Sequence, residues 1–371
     1  MNILFYYPDK ERADAFTSLM FGFQKQGHHV SLLTHAEEGY LHAEVKTGGV
    51  SIFTHVIPKN NSFVFYLKHI LFLISFTKKH KIDVVYSHIQ VANFISCIAQ
   101  YFTSSRFILT RHHTDCAFLD YNFNERTMDR IINVLGKEFI ASSKKVYEQM
   151  VNVEHVRKNK VQTIFLAYDF DHIPKPDKNA VSALREKYKA RLLLVQASRL
   201  IPEKKNFNSI AVIKDLIENN FDIKLLVLGE GTEKSRIEKF ITDNHLENRV
   251  FMVGYRQDMV NYIAAADVLV HISVSEASNN TVKEAAILEK PVIVCRDVGD
   301  FDEYIKNNEN GIMLSKENTE KELFDILAEI YLDKKDIQSL GKNLHKTVLK
   351  QFSVENIISQ YDQFHLKEKT K

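Results

Sequence analysis

From Leu192 onward the sequence alternates between two rhythms, and this alternation restricts the fold more than any other feature. Short β-branched or Leu-rich runs (LLLVQAS, IKLLVLGEG, RVFMVG, DVLVHIS, PVIVC and GIMLS) are separated by longer amphipathic stretches such as NFNSIAVIKDLIENN, TEKSRIEKFITDNH, TVKEAAILEK and FDEYIKNN. Two or three helices are expected to follow. Strand-length apolar runs alternating with helix-period segments predict βα units on a parallel sheet, because strands that run the same way need a crossover and the crossover helix covers a face of the sheet.

The first half repeats the pattern less cleanly. Its strand candidates are NILFYY, HVSLLT, SIFTHVI, DVVYSH, RFILT, EFIAS and VQTIFLA, with helices expected near residues 12–26, 62–80, 90–102, 124–135 and 143–152. A chain of 371 residues exceeds the size at which one hydrophobic core stops growing, so two domains are expected. The stretch DHIPKPDKNAVSALREKYK, residues 171–189, holds two of the six prolines and no strand pattern, and reads as the linker. The fold class is therefore α/β, with two tandem doubly wound Rossmann-like domains facing across a cleft. Residues 1–170 form the first, 190–350 the second, and 351–371 a C-terminal helix that crosses back to the first. In such sheets ligands bind beyond the carboxyl ends of the strands.

Charge separates the halves only mildly, with 19 basic against 15 acidic residues in 1–170 and 30 against 32 thereafter. No concentrated basic face points to nucleic acid, although a basic first half suits an anionic acceptor or membrane. Cys97, Cys116 and Cys295 have no paired spacing and read as isolated thiols in a reducing compartment. The opening MNILFYYPDKER lacks the order of a signal peptide, so a cytoplasmic location is expected.

The stretch SVSEASNNTVKEAA, residues 273–286, places Glu276 in a polar loop after a strand and Glu284 on the helix that follows. A helix N-terminus offers unpaired N–H groups and partial positive charge to a phosphate, and Ser278, Asn279, Asn280 and Thr281 let that backbone approach a ligand. With Asn280 as the cap, Glu284 lies roughly 6 Å further along the axis, so the two carboxylates can grip opposite ends of one ligand. The competing structural reading is a capping box, Thr281-x-x-Glu284. A second segment, ASRLIPEKKN, brings Arg199 and Lys204 to the carboxyl end of a neighbouring strand. Two cations converging on a helix tip fit a diphosphate that must be held as it leaves.

The order and spacing of ASRLIPEKKN, LLVLGEG, VFMVGYRQDMVNYIAAADVLV, SEASNNTVKEAA and VIVCRDVGDFDEYIKNNENGIML resemble the C-terminal domain of the retaining glycosyltransferases of family 4, with the GT-B fold. The resemblance covers nearly all of residues 190–315. It implies transfer of a sugar from a nucleotide-diphosphate sugar, with UDP favoured, to a saccharide or lipid-linked acceptor in surface glycan or glycoconjugate synthesis. Retention at the anomeric carbon and no metal or other cofactor are also implied. By matching position, Arg199 and Lys204 would hold the diphosphate, Glu276 the donor-sugar hydroxyls and Glu284 the ribose, with Tyr255 and Arg256 beside the base. The first half matches chiefly at LTRHHTD and FIASSKKV. There His112 aligns with a histidine that approaches the donor sugar and reaction centre, with His113 as competitor and Asp115, Asp9 and Lys10 on the acceptor side.

The chain departs from the family in three places. The loop after the first strand, YYPDKERADAF, has no glycine; Ala277, Ser278, Asn279 and Asn280 replace a Gly-rich turn; and Gly299-Asp300 stands where a Gly-Gly pair is common. Two DxD triplets, Asp169-Phe170-Asp171 and Asp300-Phe301-Asp302, raise the possibility of a divalent metal, but the first opens the linker and the second begins a helix where acids suit the dipole. The stretch FVFYLKHILFLISFTKKHK, residues 63–81, is too charged to span a bilayer. It reads either as a crossover helix or as a peripheral contact with the inner membrane face. Alternatives to transfer are a nucleotide-sugar epimerase or hydrolase on the same fold, and a non-catalytic nucleotide-sugar-binding subunit.

Overall fold

A computed structural model of the chain describes residues 1–11, 14–58, 61–112, 123–276 and 278–366. The chain divides into two compact units, one formed by Met1–Asp169 together with the segment from Phe352 onward, the other by Phe170–Gln351.

In the first unit, β1 (Asn2–Tyr6), β2 (His29–Thr34), β3 (Ser51–Thr54), β4 (Val84–His88), β5 (Arg106–Arg111), β6 (Phe139–Ala141) and β7 (Val161–Thr163) make a parallel sheet in the order β3-β2-β1-β4-β5-β6-β7. The chain order reverses between β1 and β4, so their carboxyl ends flank the crevice of the sheet. Alternate residues of β1 feed opposite faces: Ile3 and Phe5 join Phe16, Met20 and Phe23 on one side, while Leu4 and Tyr6 join Leu73, Phe76 and Val85 on the other. All five residues of β4 are buried, as a central parallel strand covered on both faces requires.

The helices expected in this half are present at Asp14–Lys25, Ser62–Lys79, Gln90–Ala99, Phe123–Leu135 and Lys144–Glu148. A further helix, Tyr40–Thr47, is not signalled by periodicity. It has eight residues, starts at Gly39, which offers no side chain to cap it, and buries only Leu41, His42 and Val45.

The C-terminal helix Val354–Leu366 belongs to the first unit. Its Val354, Ile357, Ile358 and Tyr361 enter the core beneath Asp14–Lys25. Close approach is possible because position 22 is glycine: a Cβ there would stand 2.6 Å from Val354 Cγ2 and 2.9 Å from Ile358 Cγ1. The Tyr168 N–H donates to the Phe352 carbonyl (2.9 Å) and the Val354 N–H to the Tyr168 carbonyl (3.2 Å). Arg106 Nη1 lies 3.0 Å from His365 Nδ1.

The second unit has β8 (Leu192–Ala197), β9 (Ile223–Leu228), β10 (Val250–Gly254), β11 (Val268–His271), β12 (Val292–Cys295) and β13 (Ile312–Leu314) in the parallel order β10-β9-β8-β11-β12-β13. Here the order reverses between β8 and β11. Leu194 of β8 pairs with Leu225 on one side and Val268 on the other. The segment 171–189, read as a linker, carries the helix Lys178–Lys187. That helix is held to the second unit: Arg185 ion-pairs with Asp267 (2.7 Å), and the Asp177 N–H donates to Asn261 Oδ1 (2.8 Å). No described helix is long and apolar enough to cross a membrane.

Candidate functional site

The loops leaving the carboxyl ends of β8 and β11, at the switch point of the second sheet, are joined by a backbone hydrogen bond from the Val274 N–H to the Glu203 carbonyl (2.9 Å). The β8 loop carries Arg199 and a one-turn 3-10 helix, Pro202–Lys204. The β11 loop carries Glu276, a residue far from Lys204 in sequence yet bonded to it.

Lys204 Nζ donates to Glu276 Oε1 at 2.5 Å and to the Ser275 carbonyl at 3.3 Å. The same Oε1 lies 2.6 Å from Nε2 of His271, the last residue of β11, and the Asn279 amide nitrogen lies 3.1 Å from that ring nitrogen. Burial alone would push the Glu276 carboxyl up; the hydrogen bond and charge of His271 and the Lys204 ammonium outweigh it and hold the pKa at about 2. Glu276 is therefore ionised at neutral pH and can only accept hydrogen bonds. Gly299, at φ +55°, packs against this residue, and a Cβ there would come within 2.7 Å of Glu276 Cβ.

Reasoning from sequence placed the helix cap one residue late. Asn279, not Asn280, is the N-cap of Asn280–Ile287, its Oδ1 accepting from the Val282 N–H at 2.9 Å. The asparagine preceding the first helical turn is in extended backbone and can fold its short side chain back onto the turn, whereas Asn280 is already helical and exposed. Thr281 is consequently the second helical residue, and Glu284 falls past the first turn, out of reach of a capping box. Glu284 is half-buried.

Ser278 turns away from solvent. Its hydroxyl donates to Asp300 Oδ2 (2.6 Å) and accepts from Lys283 Nζ (2.9 Å), while Lys283 also donates to Asp300 Oδ2 (2.7 Å) and the Asn279 carbonyl (3.3 Å). Asp300, one of the DxD carboxylates, is thereby engaged by a lysine; its partner Asp302 accepts from the Asp297 N–H (2.7 Å). In the other triplet Asp169 lies 3.7 Å from Lys25 Nζ.

The remaining expected residues are more dispersed. Arg199 is exposed, and its guanidinium has no hydrogen bond or ion pair among the described residues. Tyr255 and Arg256 follow the edge strand β10, two strands from β8, and both are exposed, Tyr255 to 72%. In the first unit, Asp9 and Lys10 lie exposed in the loop after β1, where the Leu41 N–H donates to the Lys10 carbonyl (2.9 Å). His112 directly follows β5, and its Nε2 is 2.9 Å from Nδ1 of His88, the last residue of β4. His113 and Asp115 lie outside the described residues.

Four of the residues that shape these sites were missed from sequence: His271, Lys283, His88 and Arg111. The two histidines carried a faint signal, a polar ring closing an otherwise apolar strand. Arg111 is 2% exposed and is held by Glu154 (2.9 Å) and Asp129 (3.2 Å), anchoring the backbone that leads into His112.

Comparison with known proteins supplies the family. Residues 177–347 match the model of the glycosyl transferases group 1, and residues 16–172 that of glycosyltransferase family 4. The chain is 23% identical over 297 residues to the N-acetyl-alpha-D-glucosaminyl L-malate synthase of Bacillus anthracis, covering 77% of this chain and 74% of that protein. It is also 23% identical over 303 residues to a Campylobacter jejuni 4-alpha-N-acetylgalactosaminyltransferase that acts on an N-acetylgalactosamine-N,N'-diacetylbacillosaminyl-diphospho-undecaprenol, covering 80% of each. Among solved structures, Anabaena HepE in complex with UDP superposes with a TM-score of 0.82 at 18% identity, covering 99% of this chain and 100% of that one.

Proposed function

The chain belongs to family 4 of the glycosyltransferases, with the GT-B fold, and from that membership we propose that it moves a sugar, with retention and without a metal, from a UDP-sugar to a saccharide or lipid-linked acceptor. The observation that carries this reading is the Lys204–Glu276–His271 cluster at the switch point of the second sheet. A mostly buried carboxylate kept ionised can accept hydrogen bonds from sugar hydroxyls and stabilise positive charge that grows at the anomeric carbon. A UDP donor is supported by the similarity to HepE, described with UDP, and lipid-linked acceptors by the undecaprenol substrate of the Campylobacter relative.

In the proposed reaction the bond from the anomeric carbon to the diphosphate oxygen breaks and the acceptor oxygen bonds to the same face. The acceptor's proton passes to the departing phosphate. Arg199, exposed and with a guanidinium unpaired among the described residues, and Lys204 balance the charge that accumulates on that diphosphate. Glu276 orients the sugar, Glu284 the ribose, and Tyr255 and Arg256 attend the base.

The first unit would hold the acceptor, and a lipid-linked one fits the helix Ser62–Lys79. That helix exposes Phe63 (75%), Leu71 (57%), Leu67 (43%) and Val64 (40%). It contains no acidic residue, and Lys68, Lys78 and Lys79 are all exposed. An apolar stripe with flanking lysines suits the surface of an anionic membrane.

The test begins with a thermal-shift screen of nucleotide sugars, in which a ligand at 100 times its Kd adds about 2.7 kcal/mol. Transfer to a sugar or polyprenyl-diphosphate-sugar acceptor is then followed by proton NMR in excess EDTA. An α-linked product from an α-linked donor supports the proposal. A β product, or turnover that is lost with EDTA and restored by Mn²⁺, overturns it in the corresponding part. Free sugar or an isomerised donor without any glycoside would favour a hydrolase or epimerase.

A further inference from the structure

The carboxyl ends of β4 and β5 are adjacent, His88 pairing in register with Thr110, and this brings His88 beside His112. The two rings meet edge to edge, with centroids 5.2 Å apart and planes 19° from parallel, and their facing nitrogens, His88 Nδ1 and His112 Nε2, are 2.9 Å apart. His88 is 3% exposed and sits among aromatic rings, Phe16 edge-on at 4.8 Å and Phe5 stacked at 6.0 Å. Its outer nitrogen, Nε2, is buried and has no hydrogen-bond partner among the described residues.

A nitrogen pair at that separation shares one proton, and two arrangements are available. If His112 donated from Nε2, neutral His88 would carry its own proton on Nε2, leaving an N–H buried among rings with no oxygen or nitrogen acceptor. If His88 donates from Nδ1, only a lone pair is left there. Orphaned buried N–H groups are the rarer and costlier outcome. Burial, followed by the proximity of His112, holds the His88 ring well below the usual imidazole range, so it carries a single proton.

We propose that His88 is a positioning residue for His112: its Nδ1–H donates to His112 Nε2 and fixes His112 as the tautomer protonated on Nδ1. This inference rests on the reading of His112 as a residue of the reaction centre. A histidine held this way carries its proton on Nδ1 and has its only lone pair already occupied, so it takes no proton from the acceptor. That agrees with a reaction in which the leaving diphosphate receives the proton.

The experiment is long-range proton–nitrogen NMR of the full chain labelled with ¹⁵N-histidine, alongside His88→Asn and His88→Phe. Asparagine places an amide N–H where the imidazole Nδ1–H stood; phenylalanine keeps the ring and removes the donor. Expected are an unprotonated Nε2 and a protonated Nδ1 on His112 in the parent and in His88→Asn. In His88→Phe the His112 tautomer should change, and kcat should fall about tenfold, the worth of one hydrogen bond, with donor KM little altered. A parent His112 protonated on Nε2 overturns the inference, as does a tautomer unmoved by His88→Phe. Should His88→Phe fail to fold, the parent spectrum still decides. Absence of glycosyl transfer would overturn the proposed activity alone, because the tautomer is read without substrate.

Discussion

Lys283 and Asp300 form an ion pair of 2.7 Å in which the two side chains are 1% and 0% exposed. The lysine lies on the helix that follows the Glu276 loop, the aspartate in the turn after β12, and Ser278 bonds to both. The pair therefore ties the loop that carries Glu276 to the neighbouring strand.

Breaking one half of this pair should be far worse than replacing both. Lys283→Met leaves the Asp300 carboxylate buried and uncompensated, with an expected loss of about 3–5 kcal/mol. Adding Asp300→Gly should restore most of it. Urea unfolding of the single and double variants checks this, and a double variant no better than Lys283→Met would mean the two residues act separately.

The two glutamates should fail differently. Glu284→Ala is expected to weaken UDP and UDP-sugar alike by about 1.5–3 kcal/mol, the range for a lost hydrogen bond to a charged group. Glu276→Ala should leave bare UDP affinity nearly unchanged and reduce turnover about a hundredfold, as loss of one aimed electrostatic contact does. Calorimetric titration with nucleotide and nucleotide sugar separates them. Since Asn279 is the cap, Asn279→Ala should cost about 1 kcal/mol of stability.

Stability should fall as pH drops below neutrality. His35, His55 and His69 cluster beyond the carboxyl ends of β2 and β3, with His35 stacked on His69 (3.8 Å) and His55 Nδ1 3.1 Å from His69 Nδ1. Burial and then mutual repulsion lower His35 to about 3 and His69 to about 4. Above pH 6.5 neither folded nor unfolded rings are protonated and the full stability is present. Below it the unfolded chain takes up protons that the fold refuses until about pH 3–4, costing about 1.4 kcal/mol per pH unit for each such ring. Glu276, lowered to about 2, adds a loss of the same sign from its ordinary range downward. The urea midpoint should decline from pH 7 to pH 4.5, and His69→Phe should flatten that slope.

Membrane contact through Ser62–Lys79 should depend on both its apolar stripe and its lysines. Leu67→Glu with Leu71→Glu is expected to abolish sedimentation with phosphatidylglycerol vesicles. Lys78→Glu with Lys79→Glu should weaken it by about 1 kcal/mol or more per site, and high salt should do the same to the parent. Equal binding to neutral phosphatidylcholine vesicles would overturn the electrostatic part.

What the sequence by itself determined is periodic. Runs such as LLLVQA, IKLLVL and VLVH are almost wholly apolar because each lies in a sheet covered on both faces, and that local rule marks the central strands without knowledge of neighbours. The positions of Arg199, Lys204 and Glu276 are similarly legible, because these residues sit in loops directly after strands. The short helix Tyr40–Thr47 was not legible, its single turn of burial being too brief to show a period. Tertiary structure alone decided that Lys204 and His271 converge on one oxygen of Glu276, and that the cap is Asn279. It also decided that Lys283, a residue type that on a helix reads as solvated, is buried against Asp300, and that His88 meets His112. Apart from the cap, each of these depends on which strand ends are neighbours and how adjacent loops are registered. Side-chain hydrogen bonds are made within about 3 Å across segments distant in sequence, and no pattern along one segment carries that information.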